Sequence, residues 1–274
     1  IPNVSTCKSP QGMLGAVVKN YFAQKIGKKP EEVSFVSIMP CVRKLGESER
    51  PANQTVTAGH DVDHVLTTVE LAELMRNRGV DLAEMEDGSF DKILGASSGA
   101  AQLFGTTGGV MEAALRTVYE VVTGAPMEHL NVTAVRGLEG VKEATITMTP
   151  VPGGVLSDGD GEQKPIEVKI AVANGLGNAK KLVQDVEDGV SPYHFIEVMA
   201  CPGGCISGAG QPRSKDKEIA KKRQAGMYDI DERRAIRESH KNPLVKALYE
   251  EFLGSPNSHK AHELLHTHYT PQGK

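Results

Sequence analysis

The 274-residue chain is 39% apolar and 24% charged, with a net charge of −4. These are ordinary proportions for a globular protein with room for one large domain or two modest lobes. Bulk charge gives no attraction to nucleic acid or acidic membrane, and no apolar run reaches the roughly 18 residues a membrane span needs. The opening "IPNVSTCKSP" has no initiator methionine and no apolar stretch of a secretory leader, so the chain reads as a fragment or a processed product.

Strand and helix signals alternate along the sequence. "QGMLGAVVKNYFAQ" places Met13, Leu14, Val17, Val18 and Tyr21 at helical spacing. "EVSFVSIMP" is a short β-rich run that leads into Cys41, and "ESERPANQTVTAGHD" is a polar loop. "VELAELMRNRG" predicts a helix with a glycine stop, and "GGVMEAALRTVYEVVTG" a helix bounded by glycines. "ATITMTP" and "IEVKIAVANG" predict strands, with residues 151–165 between them, rich in Gly, Pro and Asp, as a surface loop or insertion without chemistry. "GNAKKLVQDVEDG" predicts a helix and "YHFIEVMA" a strand leading into Cys201. "DERRAIRESHKNPLVKALYEEFLG" predicts one or two C-terminal helices. Such alternation implies an α/β architecture with at least partly parallel sheets. In these sheets ligands gather beyond the carboxyl ends of strands, where both Cys41 and Cys201 are expected.

"MACPGGC" brings Cys201 and Cys205 together with glycines at 203, 204, 208 and 210. Two thiolates suit zinc, copper(I) or an iron–sulfur cluster. The C-x3-C spacing differs from the C-x2-C of zinc knuckles and of redox dithiols. Bare glycine backbone admits a bulky cluster and leaves amides to bond sulfide. Zinc and inert buried thiols stay open on this evidence. In "MPCVRKLGE", Cys41, Lys44 and Glu47 recur every third residue and share a face if a helix opens there. That lysine could hold an anionic ligand of a thiolate-bound centre, and an ordinary surface Lys–Glu pair is the competing explanation. "HELLH" (262–266) matches the zincin pattern but lacks a downstream third ligand. "HDVDH" (60–64) reads as a solvated loop, and "ANGLGNAKKL" as a tight strand-to-helix turn rather than a phosphate loop. "RSKDKEIAKKRQ" (213–224) is a basic helical run able to steer an acidic electron carrier.

Together these pieces resemble the [FeFe]-hydrogenases. "MPCVRKLGE" is similar to that family's second signature, M-P-C-x-x-K-x-x-E, and "EVMACPGGCISGAGQP" to its third, E-x-M-A-C-x-x-G-C-x-x-G-G-G-x-P. "STCKSPQ", "LFGTTGGVMEAALRT", "VRGLEGVKEA" and "HKAHELLHTHY" resemble the catalytic domain in order and spacing, over nearly all of residues 1–274. "CKSPQ", "VANGLGNAKKL" and "AHELLHTHY" look most like the short green-algal members. The resemblance implies two lobes with mainly parallel sheets flanked by helices and a cofactor in the cleft between them. That cofactor is the H-cluster, a [4Fe–4S] cubane joined to a two-iron subcluster carrying CO, cyanide and a bridging dithiolate amine. By the resemblance, Cys41, Cys201 and Cys205 hold the cubane, and Cys205 bridges to the two-iron unit. Lys44 donates to a cyanide and Glu47 positions Lys44. Pro10, Gln11, Met39, Phe104, Gly105 and Met199 wall the two-iron pocket, and Ser5 belongs to the proton path.

The implied activity is reversible proton reduction to hydrogen with electrons from ferredoxin, after loading by maturation factors. The implied location is the chloroplast stroma for an algal protein, and otherwise a soluble, reducing, anaerobic compartment. Two departures stand out. The first signature, T-S-C-C-P, which supplies the fourth cubane ligand and a proton-passing thiol, is not in the sequence. Cys7 is not carried over in its place, because in relatives the matching position can be alanine. The third signature reads G-A-G, which is tolerated unless Ala209 needs a positive φ. A non-catalytic iron–sulfur assembly relative of the same fold is the alternative, and a zinc-stabilised α/β binding module is a third class.

Overall fold

The computed structural model describes residues 2–57, 59–91, 94–95, 97–159 and 161–269. The chain divides into one unit of residues 1–96, 209–212 and 243–274, and a second of residues 97–208 and 213–242.

In the first unit Ser9 caps α1 (Pro10–Val17), its hydroxyl accepting from the Gly12 N–H at 3.3 Å. Pro10 takes the first helical position, where its missing N–H is an orphan in any case. The helix widens into a π-helical turn (Val18–Phe22) and ends in α2 (Ala23–Lys25). Lys19 in that turn buries its ammonium on Asp63 at 2.7 Å and on the Pro30 and Val33 carbonyls. β1 (Val36–Met39) is followed by α3 (Arg43–Ser48); β2 (His64–Thr67) by α4 (Thr68–Asn77). The two strands pair in parallel, Val36 opposite His64 through Met39 opposite Thr67. Thr67 and Glu70 cap α4 reciprocally, each side chain bonding the other's backbone N–H.

The second unit opens with α5 (Gly99–Leu103) and α6 (Gly109–Thr123). Its sheet runs β3 (Val141–Met148), β4 (Ile166–Asn174), β5 (Phe195–Met199), with β4 in the middle. α7 (Leu176–Glu187) makes the crossover that a parallel β4–β5 pair requires. β3 and β4 pair antiparallel, Val141 opposite Ala173 through Met148 opposite Ile166. The core is the inner face of α6 against this sheet: Met111, Leu115 and Val122 meet Met148, Ile170 and Val172. Each such side chain contributes about 1.5–3 kcal/mol on burial. α8 (Ile219–Arg233) completes the unit, and the chain returns to the first as α9 (Pro243–Leu248), a π-helical turn (Tyr249–Leu253) and α10 (His259–Leu265). There Leu253, Ala261 and Leu264 pack on Ala16 of α1. No helix among the described residues is long and apolar enough to cross a membrane.

The α/β fold is as expected, with the parallel pairing at β1–β2 and β4–β5 and an antiparallel hairpin at β3–β4. Residues 151–165 form most of the connection in that hairpin; Asp160 lies outside the described residues. Two local expectations change. The basic run 213–224 is helical only from Ile219, within α8. The 231–254 segment takes the two-helix form, interrupted between Arg233 and Pro243, where Arg237 turns inward to bond Asp231 at 2.5 Å. "HDVDH" is not a solvated loop: Asp61 is 2% exposed and accepts the Thr55 N–H and hydroxyl, and Asp63 accepts the Phe35 N–H at 2.7 Å.

Candidate metal centre

In the first unit β1 ends two residues before Cys41, which is half-buried. The segment 209–212 is stitched beside it: the Gly210 N–H donates to the Pro40 carbonyl at 3.0 Å, and the Val69 N–H to the Gly210 carbonyl at 3.1 Å. Ala209 is not among the residues of positive φ, so its methyl is tolerated where the family pattern has glycine. α3 then carries Lys44 and Glu47, whose Nζ and Oε2 lie 2.7 Å apart with each side chain 21% exposed. This is more than a surface pair. Glu47 also accepts from the Ser9 hydroxyl and, through its carbonyl, from Asn53 Nδ2 at 2.9 Å. Gln11 donates to the Lys44 carbonyl at 3.1 Å while its own carbonyl accepts from the buried Ser37 hydroxyl at 2.8 Å. Lys44 is thus a half-buried ammonium held by a carboxylate that is itself fixed, as a donor to an anion requires. Ser9, missed in the sequence, is signalled there by Ser-Pro-Gln at a helix start.

Of the other expected residues, Met39 is the half-buried last residue of β1, and Pro10 is exposed at the start of α1. Ser5 is exposed; its hydroxyl accepts from the Cys7 N–H at 3.3 Å and its carbonyl from the Tyr269 hydroxyl at 2.6 Å. Two of the tail histidines pack together: His262 and His266 stack with centroids 4.2 Å apart, and His266 meets Thr6 Oγ1 at 2.8 Å. Burial, and secondarily the charge of His262, holds His266 below the ordinary imidazole value. Among the described residues no three His, Cys, Asp or Glu side chains gather around one point.

The second unit presents Cys201 and Cys205 on a loop that β5 feeds. Gly203 and Gly204 take φ of +86° and +94°. A Cβ on Gly204 would lie 2.8–2.9 Å from the Gly105 carbonyl and the Thr106–Thr107 peptide. The loop is therefore pressed against residues 105–107. The Ile206 N–H donates to Gly105 at 3.0 Å, the Thr107 N–H to Gly203 at 3.3 Å, and Arg223 Nη1 to the Ile206 carbonyl at 2.9 Å. Gly105 so becomes part of the loop's bed, with half-buried Phe104 before it. Met199 is half-buried at the end of β5, its carbonyl accepting from Gly175 at 2.7 Å. Beneath, Glu197 drives its carboxylate into the start of α6, accepting from Gly108 at 2.7 Å and Met111 at 2.6 Å. Burial pushes this carboxyl up, with those N–H groups and Lys142 opposing it; burial also pushes Lys142 down.

This arrangement fits an iron–sulfur group. Neither Cys201 nor Cys205 is in a disulfide, and Cys201 is exposed. The loop "CPGGC" itself offers no carboxylate or imidazole that a harder cation would ask for, and its backbone is fixed by the protein without help from a metal. Substituting Gly204→Ala forces both a left-handed alanine and a backbone clash, at roughly 2 kcal/mol or more. The expected result is iron retention after cluster loading near that of a Cys201→Ala variant; retention like the parent chain would refute the packing argument.

The fold is α/β, and its second unit presents two cysteine thiols outside any disulfide on a glycine-pinned loop. The chain belongs to the iron-only hydrogenase family: the family model "Iron only hydrogenase large subunit, C-terminal domain" matches residues 1–209, and "Iron hydrogenase small subunit" matches residues 217–272. It is 47% identical over 266 residues to the NADP-reducing hydrogenase subunit HndD of Solidesulfovibrio fructosivorans, covering 97% of this chain and 43% of that protein. It is 33% identical over 274 residues to the cytosolic iron-sulfur assembly component 3 of Mus musculus, covering 98% and 54%. A solved structure of a variant [FeFe]-hydrogenase HydA1 from Chlamydomonas reinhardtii is similar with a TM-score of 0.82 and 49% identity, covering 98% of this chain and 71% of that one. The chain spans about half the length of the curated relatives it matches.

Proposed function

We propose that this chain is the catalytic part of an [FeFe]-hydrogenase that reversibly reduces protons to hydrogen. The observation that carries the proposal is the joint presence of the pinned cysteine loop and the Lys44–Glu47–Ser9 chain beside Cys41. A cubane alone needs only thiols; a fixed ammonium three residues from Cys41 calls for an anionic ligand. In this proposal Cys41, Cys201 and Cys205 ligate the cubane, Cys205 also bridges to the two-iron unit, and Lys44 donates to its cyanide. Glu47 positions Lys44. Met39, Met199 and Phe104 exclude water with soft, adaptable walls, alongside Pro10, Gln11 and Gly105. Ser5 belongs to the proton path. The bound cluster supplies the electron-transfer and hydrogen chemistry.

Ferredoxin is the proposed electron carrier, steered by the basic residues of 213–224. Part of that charge is internally paired, Lys221 with Glu218 and Lys222 with Asp216, both at 2.7 Å. Maturation factors are the proposed source of the two-iron unit. A chloroplast location rests on likeness to the algal protein alone, and relatives of similar identity are bacterial. The second proposal, an iron–sulfur assembly role, is favoured by the Mus musculus relative.

The test is an anaerobic infrared spectrum of the chain loaded with a cubane and the two-iron cofactor. Iron-bound CO and cyanide bands that survive desalting are expected. Absence of bands, here and in a chain extended upstream by a T-S-C-C-P segment, defeats the hydrogenase proposal.

A further inference from the structure

The turn "ANGLGNAKKL" leaves one residue that no phosphate loop or simple strand-to-helix turn explains. Asn174, the last residue of β4, is 8% exposed, yet its side chain crosses to two other segments. Its Oδ1 accepts from the Gly203 N–H at 2.6 Å, between the two cysteines. Its Nδ2 donates to the Leu138 carbonyl at 2.8 Å. One partner is a donor and the other an acceptor, so the orientation of the amide is fixed by the network. Around it the backbone is doubly tied: the Asn174 N–H donates to Gly140 at 2.8 Å, and the Gly175 N–H to Met199 at 2.7 Å. Asn178 Nδ2 in turn donates to the Asn174 carbonyl at 2.6 Å.

We infer that Asn174 is the positioning residue of the cysteine loop, setting the backbone from which Cys201 and Cys205 present their thiolates. The inference rests on the proposed cluster-binding role. Gly203 lies at φ +86°, and glycine populates positive and negative φ about equally, so its own backbone does not select this conformation. Its N–H has to be aimed by an outside acceptor. Asn174 is that acceptor, and its bond to Leu138 holds the amide from behind. The loop is then ordered before a cluster arrives, so ligation does not have to bear the ordering entropy of residues 201–205.

The isosteric Asn174→Leu removes both bonds, Asn174→Asp keeps the acceptor and loses the donor, and Met148→Ala destabilises the core of the same unit with no contact to the loop. Hydrogen exchange on the apo chain reads the Gly203 amide. Cluster loss to a chelator, the EPR signal of the reduced cubane and its midpoint potential read the thiolates. Asn174→Leu is expected to speed Gly203 exchange and cluster loss about tenfold each, with a changed EPR signal and a shifted potential. Asn174→Asp falls between, and it decides the matter if the leucine variant does not fold. Met148→Ala is expected to lower the melting temperature and leave the EPR signal and potential unmoved. Unchanged exchange and cluster behaviour in both Asn174 variants overturns the inference, as does Met148→Ala reproducing their spectral changes. If neither the parent chain nor one extended upstream by a T-S-C-C-P segment takes up a cubane, the proposed function fails, and Gly203 exchange alone decides whether Asn174 sets the loop.

Discussion

Replacing Asp231 with alanine is expected to lower the stability of the second unit by about 3–5 kcal/mol, the range for breaking a buried ion pair from one side. Asp231 and Arg116 are both fully buried. The guanidinium grips the carboxylate with two bonds of 2.8 Å, and Arg237 adds a third at 2.5 Å. Arg116 and Arg136 share Glu112 at 2.7 and 2.8 Å. Glu112 and Asp231 thus carry Arg116, Arg136 and Arg237 between them, with Glu232 3.9 Å from Arg136, and removing Asp231 leaves Arg116 to Glu112 alone and takes from Arg237 its carboxylate. The network joins α6 to α8 and to the turn at 237, so its loss acts on the whole unit. Gly99 makes room for it: a Cβ there would lie 2.1 Å from Asp231 Oδ1. Burial alone would push Asp231 up, but Arg116 and Arg237 overcome that and hold the carboxyl below its ordinary value of 3.8. A depressed carboxylate contributes stability that is fully present above its unfolded value and fades as pH falls through the folded one. The parent chain should thus lose stability below about pH 4, and Asp231→Ala should lose less over the same interval. Thermal melts read both effects, with a drop of roughly 10 °C expected at neutral pH. A drop under about 2 °C would mean that the network contributes little.

What was legible in the sequence follows from how far each interaction reaches. Cys201 with Cys205, and Cys41 with Lys44 and Glu47, lie within two short windows, so spacing displayed each group, and the family resemblance supplied their roles. The helix of 109–123 was visible because glycines bound it, Gly108 at φ +87° and Gly124 at φ +69°. Asn174, Ser9 and Asp231 were not legible as positioning groups, because each acts across 29, 38 and 115 residues respectively. No local pattern distinguishes an asparagine that ends a strand from one that bonds a distant glycine. Glu197 stood inside the quoted signature, yet its role depends on β5 ending against the start of α6. "HDVDH" misled for the same reason: a polar composition suggests water, but Thr55 and Lys19 supply the partners that let Asp61 and Asp63 turn inward.

Lys44→Asn separates the two proposed functions. An asparagine is too short to reach where the ammonium sits and carries no charge, so among the described residues Glu47 keeps Ser9 as the side chain that bonds its carboxylate. The pair is partly exposed, so folding stability should change by less than about 1 kcal/mol. Cubane binding depends on the thiols, and iron and sulfide content should stay at the level of the parent chain. Under the hydrogenase proposal, the lost charge-assisted bond to an anionic ligand is worth roughly a hundredfold in hydrogen evolution and weakens retention of the two-iron unit. Glu47→Gln keeps the ammonium but loosens its aim, and a smaller fall is expected. An assembly protein that carries only a cubane has no anionic ligand for Lys44 to meet. Transfer of its cluster to an acceptor protein would proceed at the parent rate in both variants. Hydrogen evolution that survives Lys44→Asn would remove the lysine from the site, and the pinned cysteine loop would then be explained by a cubane alone.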